Sequence, residues 1–282
     1  MTAALDVHLT GVVHLYPSPE GDVVALRGVD LDIRAGESVA LLGPSGAGKS
    51  TVLGLLAGEF RPSAGSVRIG DVDVARGGSE ALAALRSRDV SLVVQGADAN
   101  LLPYATGLQN VWFAQHGARR RGQAPEKTAA ELLDLFGLGA LADRPADRLS
   151  SGERQQLALV AGVASLPRLL LLDEPTSQLT DAERDEMIDA VVAVHRTLGM
   201  TVIVVTHDTD VAARLERTVT IRDGRVGAEG RAGTEYAVVG RDGSVHLPPD
   251  VLGVLPPDSL VRVTRLDDGV ELRRVDEDGD AP

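Results

Sequence analysis

The chain has 282 residues, 44% of them hydrophobic, enough for one large domain and a small one. Its 28 Lys+Arg stand against 41 Asp+Glu, a net charge of −13, which argues against nucleic-acid partners because such binding is driven by phosphate neutralisation. With no cysteine, disulfides and thiolate metal sites are excluded.

The N-terminal MTAALDVHLT has neither a basic stretch nor a long apolar core, so no signal peptide is expected. VHLTGVVHLY (7–16) and VVALRGVDLDI (23–33) alternate apolar and polar residues, which predicts half-buried strands. SVALLG (38–43) is instead a continuous apolar run ending in glycine, as a strand covered on both faces reads. STVLGLLAG (50–58) has helical spacing and stops at Gly58. SVRIGDVDV (66–74) and VSLVV (90–94) return to strand character. From about 96 to 166 helix dominates: TGLQNVWFAQ, then PEKTAAELLDLFG with Pro125 near its start and Gly137 after its end, then SSGERQQLALVAGV. Strand and helix then alternate through LLLLD (169–173), a helix over 181–198, TVIVVT (201–206) and TVTIRDGRV (218–226), the last read as one strand. Strands separated by helices imply an α/β fold with a largely parallel sheet, a β-rich N-terminal part and a helical insertion.

The longest apolar runs, LALVAGVASL, LLLL and VIVV, fall well short of the ~20 residues a membrane span needs. A soluble, cytoplasmic protein is expected, with any membrane role reached through a partner. The run GAEGRAG (227–233) reads as a linker dividing a domain over 1–226 from a small one over 234–282. In that tail, YAVVGRDGSVHL and LVRVTRLDDGVELRRV each set Asp-Gly between alternating strands, a hairpin signal, and PPDVLGVLPPD between them predicts a short helix. The final DEDGDAP reads as a disordered acidic end.

Gly43 to Ser50 fits G-x-x-x-x-G-K-[ST], between a buried strand and a helix as the motif requires. Small residues let successive backbone N–H groups converge on phosphate oxygens, and the helix N-terminus adds positive potential. Lys49, one of two lysines in the chain, would reach the β- and γ-phosphates as a compact charge where arginine's planar fork fits less well, and Ser50 offers a hydroxyl to Mg²⁺. The run Gly43, Pro44, Ser45, Gly46, Ala47, Gly48, Lys49, Ser50 and Thr51 is therefore the candidate nucleotide loop. Asp173 and Glu174 follow the buried strand LLLL, at the strand end where parallel sheets place ligands. Asp173 is placed to hold Mg²⁺ and Glu174 to orient or deprotonate an attacking water.

With LSSGERQQ (149–156) between that loop and LLLLDEPTSQLT, residues 5–226 resemble the nucleotide-binding subunit of an ABC transporter. The resemblance implies ATP and Mg²⁺ as ligands, and a P-loop cassette with a β subdomain, an α/β core and a helical insertion. It also implies that Gln95 senses Mg²⁺ and a transmembrane partner, that His207 contacts the γ-phosphate, and that Tyr16 stacks on adenine. Ser150, Ser151, Gly152 and Glu153 fall on the signature that caps ATP bound to a second subunit. Tyr16, Gln95 and His207 each also have a plain structural use, as a core tyrosine or as strand-end hydrogen-bonding groups.

Two motifs depart from the family pattern. Its L-S-G-G-Q reads Leu149-Ser150-Ser151-Gly152-Glu153, and its S-A-L-D reads Ser177-Gln178-Leu179-Thr180. The arginine usual after the signature is Gln156, with Arg154 nearby. The resemblance thus predicts an ATPase subunit that drives an export permease from the cytoplasmic face of the membrane. It would pair with a second ATPase subunit, identical or different, and its branch resembles lipoprotein-release and antimicrobial-peptide exporters. A competing reading is a non-transport ABC ATPase, although tandem cassettes and long coiled-coil insertions are absent from the sequence. Another is a regulator built on residues 236–275, which resemble the swapped-hairpin (AbrB-like) fold. Residues 234–282 carry 5 Arg against 11 acidic residues, a net −6 that favours a dimerisation or regulatory role over phosphate contacts.

Overall fold

The computed structural model describes residues 3–19, 21–119, 126–231, 234–239, 243–245, 247 and 249–275. Pro125, His246 and the acidic end 276–282 lie outside the described residues.

Strands β1 (Val7–Tyr16) and β2 (Val23–Ile33) pair antiparallel, and after β3 (Ser38–Leu42) and helix α1 (Lys49–Leu56) the chain returns through β4 (Ala64–Ile69) and β5 (Val72–Asp73) to complete a four-stranded sheet in the order β2-β1-β4-β5. The predicted strand 66–74 is therefore two strands. Gly70 turns the chain at φ 53°, and Arg68 pairs back onto Asp73. Residues 79–89, unassigned from sequence, form α2 (Ser79–Ala84) and a π-helical turn over Leu85–Asp89 that delivers the chain to β6 (Val90–Val93).

The insertion carries α3 (Gly107–Arg119) and α4 (Ala129–Leu135), and leads into α5 (Ser151–Val163). Helix α4 starts later than expected, because the Thr128–Glu131 capping box fixes its first turn. Then follow β7 (Leu169–Asp173), α6 (Asp181–Leu198), β8 (Thr201–Thr206), α7 (Thr209–Ala213), β9 (Arg217–Arg222) and β10 (Arg225–Arg231). The segment 218–226 is a hairpin and not one strand: Asp223 (φ 48°) and Gly224 (φ 73°) form its turn. Most of the expected linker is strand too, since β10 runs to Arg231 and pairs with β11 (Thr234–Ala237). Beyond it lie α8 (Pro249–Leu252) and the hairpin of β12 (Val261–Arg265) with β13 (Val270–Arg274).

The main sheet has the order β11-β10-β9-β3-β8-β7-β6, with β9, β3, β8, β7 and β6 mutually parallel. Its central strands are apolar except at their ends because both faces are covered. Leu170, Leu172, Val202 and Val204 point into a core shared with α3 to α6, whereas Leu169, Leu171, Ile203 and Val205 point into a second core with α1 and the antiparallel sheet. Each such Leu or Val contributes roughly 1.5–3 kcal/mol of transfer free energy. The order β3-β8-β7-β6 also sets four carboxyl ends side by side. Leu42 is level with Thr206, Val205 with Asp173, and Leu172 with Val93.

Candidate functional site

Four chain segments leave those strand ends and line one cleft of about 680 Å³, shared by the glycine loop after β3, Gln95 after β6, Asp173-Glu174 at the end of β7 and His207 after β8. Tyr16, at the end of β1, closes one side, and its hydroxyl donates to Thr51 Oγ1 at 3.3 Å. Its ring is 40% exposed and is propped edge-on by the buried His14, with Phe60 behind.

The loop is braced from behind. A Cβ at Gly43 would sit 2.1 Å from the carbonyl oxygen of Ile221, and one at Gly48 would sit 2.7 Å from that of Ala25. The Asp223-Gly224 turn completes the support, since Gly224 N–H donates to the Ala47 carbonyl and its own carbonyl accepts from Arg27. Gly43 and Ala47 thus serve the back of the loop, while Pro44, Ser45, Gly46, Gly48, Lys49, Ser50 and Thr51 face the cleft. Gly46 adopts φ 79° with open space where a side chain would point, which leaves backbone groups approachable by a ligand. Lys49 is buried and its ammonium donates to the carbonyls of Gly43 (2.7 Å) and Pro44 (2.9 Å), so its charge is held at the loop's centre.

Ser50 Oγ donates to Asp173 Oδ1 at 3.4 Å. Burial raises the Asp173 carboxyl above its ordinary value, the Ser50 hydroxyl opposes this, the Glu174 charge adds to it, and Lys49 lowers it. Two hard oxygen donors with the Gln95 side chain on the same cleft wall suit Mg²⁺, which prefers oxygen ligands.

Glu174 sits in the left-handed region at φ 47°, unusual for a side-chain-bearing residue and held by its N–H donating to the Val205 carbonyl at 3.0 Å. That twist turns its mostly buried carboxylate into the cleft, where His207 Nδ1–H donates to Oε2 at 2.7 Å. The carboxylate only accepts, so this bond fixes which ring nitrogen of His207 carries the proton.

Ser150, Ser151, Gly152 and Glu153 do not line the cleft. They form the start of α5, where Ser150 Oγ accepts from Glu153 N–H (3.1 Å) and Glu153 Oε2 accepts from Ser150 N–H (2.8 Å). Glu153 also takes Arg144 at 2.6 Å, the main reason its carboxyl lies below the usual range. Glu153 is thus committed to its own chain. Sequence reading missed three supporting residues. Asn100 clasps the chain on both sides of Gln95, accepting from Val94 N–H and donating to the carbonyls of Val94 and Gly96. Asp208 caps α7 directly after His207. Glu183 joins the starts of α5 and α6.

The sequence profile of the family described as "ABC transporter" matches residues 26–177. The lipoprotein-releasing system ATP-binding protein LolD of Anaeromyxobacter dehalogenans is 40% identical over 226 residues, 79% of this chain and 93% of that protein. The macrolide export ATP-binding/permease protein MacB of Rhodopirellula baltica is 37% identical over 229 residues, 80% of this chain and 33% of that longer protein. The dimeric post-hydrolysis state of the ATP-binding cassette MJ0796, bound to ADP and Pi, superposes with a TM-score of 0.70 at 30% identity, covering 80% of this chain and 98% of that one. Cassette cbiO1 of Clostridium perfringens, part of the cbiONQ complex, gives 0.70 at 27% identity over 80% and 88%. The chain belongs to the ABC transporter family, as one of its ATP-binding and ATP-hydrolysing subunits.

Proposed function

We propose that this subunit powers an export permease of the lipoprotein-release or macrolide-export kind, working from the cytoplasmic face of the membrane. No helix among the described residues is long and apolar enough to cross a bilayer. In this reading a separate permease carries the cargo path. The observation that carries the reading is the convergence of Lys49, Ser50, Gln95, Asp173, Glu174 and His207 on one cleft at four adjoining strand ends.

In this reading Tyr16 stacks on adenine, and the loop amides of residues 45–51 with Lys49 hold the phosphates. Ser50, Asp173 and Gln95 would hold Mg²⁺, whose charge offsets that of the β- and γ-phosphate oxygens. Water attacks the γ-phosphorus as its bond to the bridging oxygen breaks, and Glu174 accepts the proton water gives up. His207 orients Glu174 through the 2.7 Å bond. Ser150, Ser151 and Gly152, being outside the cleft, complete the site of a second subunit. Residues 1–226 make the body of the cassette, β10 and β11 extend its sheet, and the rest of 234–282 makes a smaller dimerisation or regulatory unit.

Glu174→Gln tests the reading. Turnover should fall by about 10²–10⁴ while nucleotide binding persists, because the amide cannot take the proton. The variant should accumulate as an ATP-dependent dimer on size-exclusion chromatography. Near-normal turnover would remove Glu174 from the mechanism.

A further inference from the structure

Two of the positions where the sequence departs from the family pattern, Ser151 and Thr180, meet at one carboxylate. Glu183 lies in the first turn of α6, and its Oε2 accepts from Thr180 N–H (3.0 Å) and Thr180 Oγ (2.9 Å). That half is an ordinary capping box. The other half is not. Oε1 reaches across to the start of α5 and accepts from Ser151 Oγ and Gly152 N–H, each at 3.1 Å.

We infer that Glu183 is a positioning residue that yokes the signature helix to the loop leaving the catalytic carboxylate, so that the partner-facing residues Ser150–Gly152 move together with Glu174. The inference deepens the site reading proposed above and rests on it. The connection to Glu174 is short. Ser177 N–H donates to the Glu174 carbonyl at 3.0 Å, Thr180 caps α6 three residues later, and Glu183 follows in its first turn. On the same turn Arg184 pairs with Asp208, the cap that follows His207.

Three features suit this single carboxylate. Only a group that accepts at both ends can satisfy donors on two helices at once. Gly152 leaves room for it, since a Cβ there would lie 3.0 Å from both Cγ and Oε1 of Glu183. Thr180 donates where the family's aspartate would set a second negative charge against Oε2. The serine of the altered signature adds a fourth donor. With four donors, led by the Thr180 N–H, the Glu183 carboxyl is held down at about 2.

The test is a swap, read as ATP turnover by the full chain alongside ATP affinity. Glu183→Gln turns an amide NH₂ toward one of the two donor pairs and should lower kcat about three- to thirty-fold with little change in the ATP affinity of the isolated subunit. Thr180→Asp retains a good helix cap but opposes Glu183, and should lower kcat by a similar factor. Together they restore part of the complementarity, because the Gln NH₂ can donate to the new carboxylate while its oxygen still accepts from Gly152 and Ser151, and only the backbone N–H of residue 180 loses its acceptor. The double variant should therefore turn over faster than either single variant. Losses that multiply in the double variant overturn the yoke, and so does a lowered melting temperature with kcat unchanged. Should Glu183→Gln fail to fold, Thr180→Asp alone still decides: unimpaired turnover overturns the proposal. Glu174→Gln is assayed beside them, where retained turnover would sink the site reading instead.

Discussion

At the residue scale, the proposal gives His207 and Glu183 positioning roles, since His207 bonds the Glu174 carboxylate and Glu183 the starts of two helices. His207→Ala removes the donor that aims Glu174, so kcat should drop about 10- to 100-fold with the KM for ATP little moved. A comparable rise in KM would instead make His207 chiefly a binding group. Glu183 yields a pH prediction with a definite sign. Its folded-state carboxyl, at about 2, lies below the ordinary 4.5, so its contribution is complete above 4.5 and drains away as the pH falls toward 2. Melting temperatures followed from about pH 5 to pH 3 should fall more steeply for wild type than for Glu183→Gln, and parallel curves would count against the four-donor arrangement. The residues legible in the sequence were those whose spacing is local, such as Gly43 to Thr51 and Asp173-Glu174. Glu183 was not, because the donors it serves on α5 lie 31 and 32 residues away.

At the element scale, buried strands read correctly because an apolar run longer than one face needs has one physical use, coverage on both sides. Turns inside a run read poorly. TVTIRDGRV looked like one strand although it contains Asp-Gly, since apolar alternation continues across the turn; the structure spends that turn on bracing the glycine loop. The insertion carries three exposed aromatic side chains. Tyr104 is 87% exposed, with Phe113 at 59% and Trp112 at 47%, so these aromatics do not fill the insertion's interior. Beneath them, the buried Asn110 fastens the turn that carries Tyr104, accepting from Leu102 N–H and donating to the carbonyls of Leu102, Ala105 and Thr106. An exposed aromatic on a fastened turn, as Tyr104 is, makes a good interface anchor. Tyr104→Ala should therefore reduce permease-stimulated hydrolysis severalfold while basal hydrolysis and melting temperature stay unchanged. Unaltered stimulation would move the docking surface elsewhere. Asn110→Ala should cost about 1–3 kcal/mol, measured by denaturant unfolding, because it strands buried backbone groups of the turn.

At the scale of the whole molecule, the alternation of strand and helix was enough to predict a parallel sheet, but not the strand order that gathers Gln95, Glu174, His207 and Lys49. That order is set by crossovers, which leave no mark in local composition. In the tail the second hairpin was legible, as β12 and β13 pair, whereas β11, at the start of the first expected hairpin, continues the main sheet. Its terminal hairpin has a clear division of faces. Val261, Val263, Val270 and Leu272 share one side with Arg265 and Arg274, whereas Arg262, Thr264, Glu271 and Arg273 share the other. The Val238 backbone N–H donates to the Gly227 carbonyl, which keeps the chain beside β10 to that point. Two strands alone are marginally stable, and these four aliphatic residues remain 37% to 64% exposed. A second copy of the hairpin would cover them, and would keep the second cassette that an ATP sandwich requires at high local concentration. Full-length protein without nucleotide should then be dimeric by light scattering. Removing residues 249–282, which spares β11, should make it monomeric, as should Val263→Lys combined with Leu272→Lys. A full-length monomer, or a truncated chain that stays dimeric, would mean that the hairpin's apolar face packs on something other than its own copy.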